Sequence, residues 1–339
     1  MIRVLTAALA VAFAAFLASG FLAKEDNDRR ADQPTPIDAS PISPEGFALT
    51  GASMKADGLR FVGGLVLRST NQHFGSLSGM RITDHGILTA VSDTGFWFQG
   101  EIARDANGLP TGISGGRMAP LLDGEGRPFS QKWFGDAEGL TFQNRVAFVS
   151  TEQDARIIRY EIGSDLLDAW SSIFGPPLPG DRLAYNRGLE AIATLPERHA
   201  YAGSLIAISE APPGFKDSIR AFIWSENSVT EFSINSHDRF SITDADFLPD
   251  GNLLLLERRF SPADGPAMRL RKIDGSAIKP DARLDGDILL DLDWRWQIDN
   301  MEGVSVFTTA GGKQRAGLIS DDNKWPLQRT LYLEFEFES

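Results

Sequence analysis

The chain predicts an all-β domain, best read as a β-propeller, and three observations carry that expectation. From Gly46 onward, short apolar runs alternate with Gly, Asp, Asn and Pro turn signals, and few long windows keep helical spacing. A two-strand unit recurs along the domain, each copy roughly 50 to 60 residues after the last, near the longer propeller-repeat periods. Acids recur at two places in the unit, near the start of its first strand and at the end of its second.

The first unit spans residues 77–93 (LSGMRI, a turn at Asp84-His85-Gly86, then ILTAVSD). The second spans 136–152 (DAEGLTF, then VAFVSTE) and the third 187–210 (RGLEAIA, then SLIAISE). A looser fourth spans 243–257 (TDADFL, then LLLLE), and the fifth spans 299–323 (DNMEGVSV, then AGLISDDN). Further strand-like runs at 156–162, 221–234 and 268–273 supply the outer strands of four-stranded blades. Two apolar runs, 59–67 and 330–337, belong to no unit. Pairing these N- and C-terminal strands would close the ring and hide both edges. The domain has room for six blades, which is the expectation, with five or seven as alternatives. A β-sandwich or β-helix would leave the acids at fixed places unexplained. The best helical candidate is 165–174.

Arg3 precedes an apolar run over 4–17, and Ala18-Ser19-Gly20 offers small residues for cleavage. Residues 1–23 therefore read as a secretory signal, or as an uncleaved anchor, since 4–23 approaches the roughly 20 residues that span a bilayer. No other stretch is long and apolar enough to cross a membrane. Residues 24–45 are charged and Pro-rich (Pro34, Pro36, Pro41, Pro44) and read as a linker before a domain at 46–339. The protein is expected to be exported from the cytoplasm, as a monomer.

Hydrophobic residues make up 42% of the chain, ample for a core. A formal net charge of −13 argues against a nucleic-acid partner and is compatible with cation binding. The absence of cysteine excludes disulfides, thiol catalysis and thiolate zinc.

In a propeller the innermost strand of each blade lines the central channel. If the first strand of each unit is innermost, Glu138, Glu190, Glu302 and Asp244 or Asp246 sit at one rim. Asp93, Glu152, Glu210, Glu257 and Asp321 end the second strands, and antiparallel order brings them to the same rim. So many carboxylates cannot all stay ionised and unpaired. A hard cation would relieve them, and Ca²⁺ suits a set of oxygen ligands at flexible geometry. The candidate ligands are Asp93, Glu138, Glu152, Glu190, Glu210, Glu302 and Asp321. Arginines beside the motifs (Arg187, Arg258, Arg259, Arg329) are the other means of neutralisation. A purely structural role for each acid, holding a turn or tying neighbouring blades, also fits.

Other motifs point nowhere. GISGG at 112–116 matches the nucleophile-elbow pattern around Ser114, but its surroundings read as a glycine hairpin rather than strand–turn–helix. The four histidines show no metal spacing, and no phosphate-cradling loop is present.

At LSGM and AVSD (77–93), DAEGL (136–140), NRGLEAI (186–192), DNMEGVSV (299–306) and SDDN with LQRTLYLEF (320–335), the chain resembles exported bacterial phytase-like proteins, the "esterase-like activity of phytase" family. The resemblance implies a β-propeller in the periplasm or outside the cell, and hydrolysis of an ester or phosphate ester. True β-propeller phytases combine Ca²⁺ with a Lys-rich phosphate site. Here Lys132 and Lys324 stand alone, which points away from phytate itself.

The leading expectation is a calcium-assisted hydrolase of a small anionic or ester substrate. Glu190 or Glu302 would be the general base, and Arg187, Arg258 and Arg329 would bind the anion. The alternatives are a non-catalytic propeller that binds a ligand or partner around a structural metal, and a lactonase-like calcium propeller.

Overall fold

The computed structural model describes residues 33–129, 135–153, 155–178, 188–210, 217–261 and 263–338. The expected signal or anchor lies outside them, as does Arg187. Among the described residues no helix is long and apolar enough to cross a membrane.

The described residues form five sheets arranged as propeller blades, antiparallel except for one short parallel pairing of Arg283–Leu284 at a sheet edge. From the channel outward, blade 1 runs Leu77–Ile82, Ile87–Ser92, Phe96–Arg104 and Pro110–Pro120. Blade 2 runs Ala137–Gln143, Val146–Thr151, Ile157–Glu161 and Ser171–Ile173. Blade 3 runs Leu189–Thr194, Leu205–Ser209, Ser218–Trp224 and Val229–Asn235. Blade 4 runs Ser241–Phe247, Leu253–Ser261, Gly265–Ile273 and Gly286–Asp293. Blade 5 runs Asn300–Thr308, Gln314–Asp321, Thr330–Phe337 and Leu59–Ser69.

The expected closure is present. Leu59–Ser69 pairs antiparallel with Thr330–Phe337, so both ends of the domain lie in one sheet. The expectation of six blades is corrected to five, for a simple reason. The fifth unit brings only two strands of its own, and the two unassigned runs complete its blade instead of founding another. Part of the segment read as a linker is also paired. Ile37–Ile42 adds to the edge of blade 5, and Gln33–Pro34 adds to blade 1. Edge positions tolerate the prolines that would break a central strand.

Hydrophobic clusters lie between successive blades, which is what holds a propeller together. The run Leu253-Leu254-Leu255-Leu256 shows how. Leu254 and Leu256 pack toward blade 5, while Leu253 and Leu255 pack toward blade 3. Successive residues of a strand face opposite ways, so a strand covered on both faces reads as unbroken apolar sequence. The remaining junctions close the circle, from blade 5 to blade 1, blade 1 to blade 2 and blade 2 to blade 3.

The helical candidate at 165–174 is a single 3₁₀ turn, Leu166–Asp168, capped by Asp165 and followed by the strand Ser171–Ile173. Its buried Leu166 and Leu167 pack between blades 1 and 2, so tertiary burial outweighs the helical pattern. Ser114 lies exposed in the outermost full strand of blade 1, Pro110–Pro120, with no strand–turn–helix around it.

Candidate active site

Each innermost strand carries a bulge close to its channel-mouth end. In blade 5, Met301 pairs with Ser320 and Gly303 with Ile319, which leaves Glu302 as the extra residue. In blade 3 the same count leaves Glu190 extra, between Leu189 and Ala191. Blade 2 is bulged around Glu138-Gly139 and blade 1 around Ser78-Gly79. A bulge re-aims the side chain it releases, and here it repeats around one mouth of the channel.

Glycine allows the ring to be this narrow. A Cβ on Gly139 would come within 2.6 Å of the Glu190 carbonyl oxygen in blade 3. One on Gly79 would come within 2.6 Å of the Glu138 carbonyl oxygen in blade 2, and one on Gly303 within 2.5 Å of the Ser78 carbonyl oxygen in blade 1.

Glu138, Glu190 and Glu302 lie close enough to raise one another. Burial and then the Glu190 charge push Glu138 well up, although it keeps some solvent-facing surface. Burial and then Glu210, Glu302 and Glu152 do the same to Glu190. Burial lifts Glu302 to about 7 against the pull of Arg258, and lifts Asp321 to about 7 with help from Asp93 and Glu302. The seven acids named from sequence thus belong to one connected set. Asp136 joins it, since ligand oxygens of Asp136, Glu138 and Glu152 all lie within 4.8 Å of one another. Gln153 donates to both Asp136 (3.1 Å) and Glu152 (3.0 Å). Asp136 precedes Glu138 by two residues, as Asn300 precedes Glu302; the leading acid of DAEGL was the signal for it.

Blade 4 departs from the expected pattern. Its bulge falls at Thr243, because Ile242 pairs with Glu257 and Asp244 with Leu256. Thr243 therefore takes the place of the glutamates, and Arg258 takes the place held by Asp93, Glu152, Glu210 and Asp321. Asp244 and Asp246 are not at the acidic rim. They lie deeper, where Asp244 meets Arg81 at 3.0 Å and accepts from the Val304 amide at 2.9 Å. Glu257 is spent on the buried Arg271. The structural role weighed for these acids is the one they fill.

Arg258 is the cation that blade 4 delivers to the mouth. Its guanidinium lies 2.9 Å from Glu302 and 3.7 Å from Glu210. Arg329 is turned to other work, reaching Asp299, Gln297 and the Ile298 carbonyl oxygen. Arg259 stacks over Phe240 and donates to the Asp238 carbonyl oxygen.

Arg81 was not singled out by sequence reasoning, although it is a lone basic residue in a strand otherwise buried throughout. It donates to the carbonyl oxygens of Val304 (3.0 Å), Ile192 (2.8 Å) and Ala245 (2.7 Å) as well as to Asp244. One side chain from blade 1 thereby ties blades 3, 4 and 5 across the channel, below the acidic mouth.

The family model for phytase-like domains, described as esterase-like activity of phytase, matches residues 72–324. This chain belongs to that family. No curated protein matches the phytase-like chain. Among solved structures it is similar to an α-L-arabinofuranosidase from Podospora anserina in complex with cellotriose, at 11% identity and a TM-score of 0.49, covering 83% of this chain and 97% of that one. It is also similar to a protein of unknown function from Dyadobacter fermentans, at 10% identity and a TM-score of 0.45, covering 89% of this chain and 99% of that one. Likeness at this level carries no argument about the chemistry of the phytase-like domain.

Proposed function

We propose that this phytase-like propeller is a calcium-assisted hydrolase of phosphate or carboxylic esters, working at its acidic mouth after export from the cytoplasm. The observation that carries the reading is the set of buried glutamates released by bulges into one mouth, with their proton affinities raised by burial and by one another.

The donors fit the metal. Asp136, Glu138 and Glu152 offer only oxygen, in a group tight enough to surround one ion. A hard cation with several oxygen ligands matches that set, whereas zinc would favour nitrogen or sulfur. Asp93, Glu190, Glu210, Glu302 and Asp321 complete the acidic surroundings. Bound there, Ca²⁺ would supply polarisation of an ester or phosphoryl oxygen.

The chain's own groups divide the proton work. Glu302, held at about 7, is partly ionised at neutral pH and is the group to take a proton from an attacking water. Glu190, whose proton affinity is raised by burial and then by Glu210, Glu302 and Glu152, is the group to give a proton to a leaving oxygen. Arg258 holds Glu302 in place and offers the positive charge that an anionic substrate would meet.

The test is turnover of p-nitrophenyl phosphate and p-nitrophenyl acetate by the purified protein, with calcium and with EDTA. Calcium-dependent hydrolysis lost in Glu190→Gln and in Glu302→Gln supports the proposal, and no turnover of either ester sinks it.

A second reading, a non-catalytic propeller with a structural metal, is favoured by one observation. Arg258 is already engaged by Glu302 and Glu210, which leaves less of its charge for a substrate. It predicts that EDTA lowers the melting temperature while no activity is there to lose.

A further inference from the structure

The channel has a second mouth, at the opposite ends of the innermost strands. Beneath it, Arg81 with Asp244 and the backbone it binds spans the channel between this mouth and the acidic rim. Above Arg81 opens a cavity of about 740 Å³, lined mainly by blades 1 and 2.

The chemistry of this cavity differs from that of the acidic rim. Among the described residues, each of its charged side chains already faces a partner of opposite sign. Arg81 is matched by Asp244 and Asp246, and Asp165 is paired with Arg117 at 2.8 Å. Both oxygens of Asp246 accept backbone amides, from Phe247 and from Val306, each at 2.8 Å. The cavity thus holds no surplus cation for an anionic ligand and no idle carboxylate for a cationic one. Among the described lining residues, the other titratable group is His85, exposed at the edge.

What the cavity offers is neutral hydrogen bonding beside apolar surface. Gln99 uses one amide hydrogen on Thr89 (3.2 Å) and keeps the rest of its amide for other partners. The Ser305 hydroxyl accepts from the Ile82 amide (2.9 Å) and still has a proton to donate. On the floor, the buried Nε of Arg81 has no hydrogen-bond partner, and its distance to Asp246 is 3.9 Å, too long for a direct bond. That gap leaves no room for an oxygen between them, so a ligand hydroxyl would meet this floor at the partly exposed Asp246 carboxylate. Phe142, half-buried on the wall, presents a ring to the same space.

We propose that this second mouth binds a neutral polyhydroxylated molecule of the size of a mono- or disaccharide. Hydroxyls of the ligand would meet Gln99, Ser305 and the Arg81–Asp246 floor, and its C–H face would stack on Phe142. The site is independent of the acidic mouth, so its success or failure leaves the hydrolase proposal untouched.

The test is saturation-transfer NMR and calorimetry of the purified protein with D-glucose, D-galactose, D-mannose, maltose and cellobiose, and with D-glucuronate as the anionic comparison. At least one neutral sugar should bind, and glucuronate should bind more weakly. Phe142→Ala and Gln99→Ala should each weaken the neutral sugar about tenfold, the effect of losing one good contact. Gln99 is only partly buried, so its variant keeps the test usable if Phe142→Ala fails to fold. Glu302→Gln should leave sugar binding unchanged. The proposal is overturned if none of the neutral sugars binds, if glucuronate binds best, if both cavity variants bind as the parent does, or if Glu302→Gln abolishes binding.

Discussion

Arg258 of blade 4 lies 2.9 Å from Glu302 of blade 5, and it stands where every other blade places an acid. The ion pair joins two blades at the acidic mouth and sets the charge state of the glutamate that the proposed chemistry uses. Removing the arginine would leave carboxylates without the cation that offsets their burial. Arg258→Gln should destabilise the protein by about 3 kcal/mol at pH 8, the scale of breaking a largely buried pair. The loss should shrink at pH 5, where Glu302 is protonated and needs no partner. Urea unfolding at the two pH values measures both.

The acidic mouth makes stability fall as pH rises. Glu302 and Asp321 are lifted to about 7, while in the unfolded chain they return to ordinary carboxylate values. Between about 4.5 and 7 the folded state therefore binds more protons than the unfolded state, so stability declines through that window. In EDTA, the melting temperature should be higher at pH 5 than at pH 8. Calcium should recover the difference at pH 8, by about 2.7 kcal/mol at a hundredfold excess over the dissociation constant. Glu138→Gln should remove most of the calcium effect. A flat profile in EDTA would show that the acids are neutralised by the protein alone.

Arg81 and Asp244 form a buried ion pair in the channel, 3.0 Å apart. Arg81→Met leaves Asp244 buried with backbone donors only and deprives four inner-strand carbonyls, those of Met80, Val304, Ile192 and Ala245, of a donor. The expected cost is about 3–5 kcal/mol. The double variant Arg81→Met with Asp244→Asn should recover part of it, because no buried charge remains. Equilibrium unfolding of the two variants checks the order; equal stability would mean that Asp244 takes up a proton once its partner is gone.

Gly139 is required by the close approach of blade 2 to blade 3. Gly139→Ala would force a Cβ to within 2.6 Å of the Glu190 carbonyl oxygen and 2.9 Å of the Ile192 amide nitrogen, so the inner strands must part. A loss of about 1–3 kcal/mol is expected, as for overpacking of a tight core. Gly112→Ala, with nothing within 4 Å of the new methyl, should cost under about 0.5 kcal/mol. Thermal melts of both variants separate a packing requirement from a general intolerance of substitution.

Local pattern alone determined much of this protein. The alternation of apolar runs and turns marked the strands. The recurrence of LSGM, DAEGL, LEAI and MEGV marked the innermost strand of four blades, and the unassigned terminal runs marked the closing pair. Asp93, Glu138, Glu152, Glu190, Glu210, Glu302 and Asp321 were legible as one set because each repeats a place in the unit.

Tertiary structure decided what a repeat count could not. Blade number depended on where the terminal strands dock, and long-range pairing of Leu59–Ser69 with Thr330–Phe337 placed them in the fifth blade. Blade 4 depended on the position of one bulge. Its extra residue sits where Glu190 and Glu302 sit in blades 3 and 5, but Asp244 and Glu257 are each displaced from the acidic places by one. Neighbouring positions face opposite ways, so Thr243 and Arg258 reach the mouth while Asp244, Asp246 and Glu257 turn to buried arginines. The role of Arg81 could not be read locally, since its partners lie 111 to 223 positions away along the chain and meet it only when the ring closes.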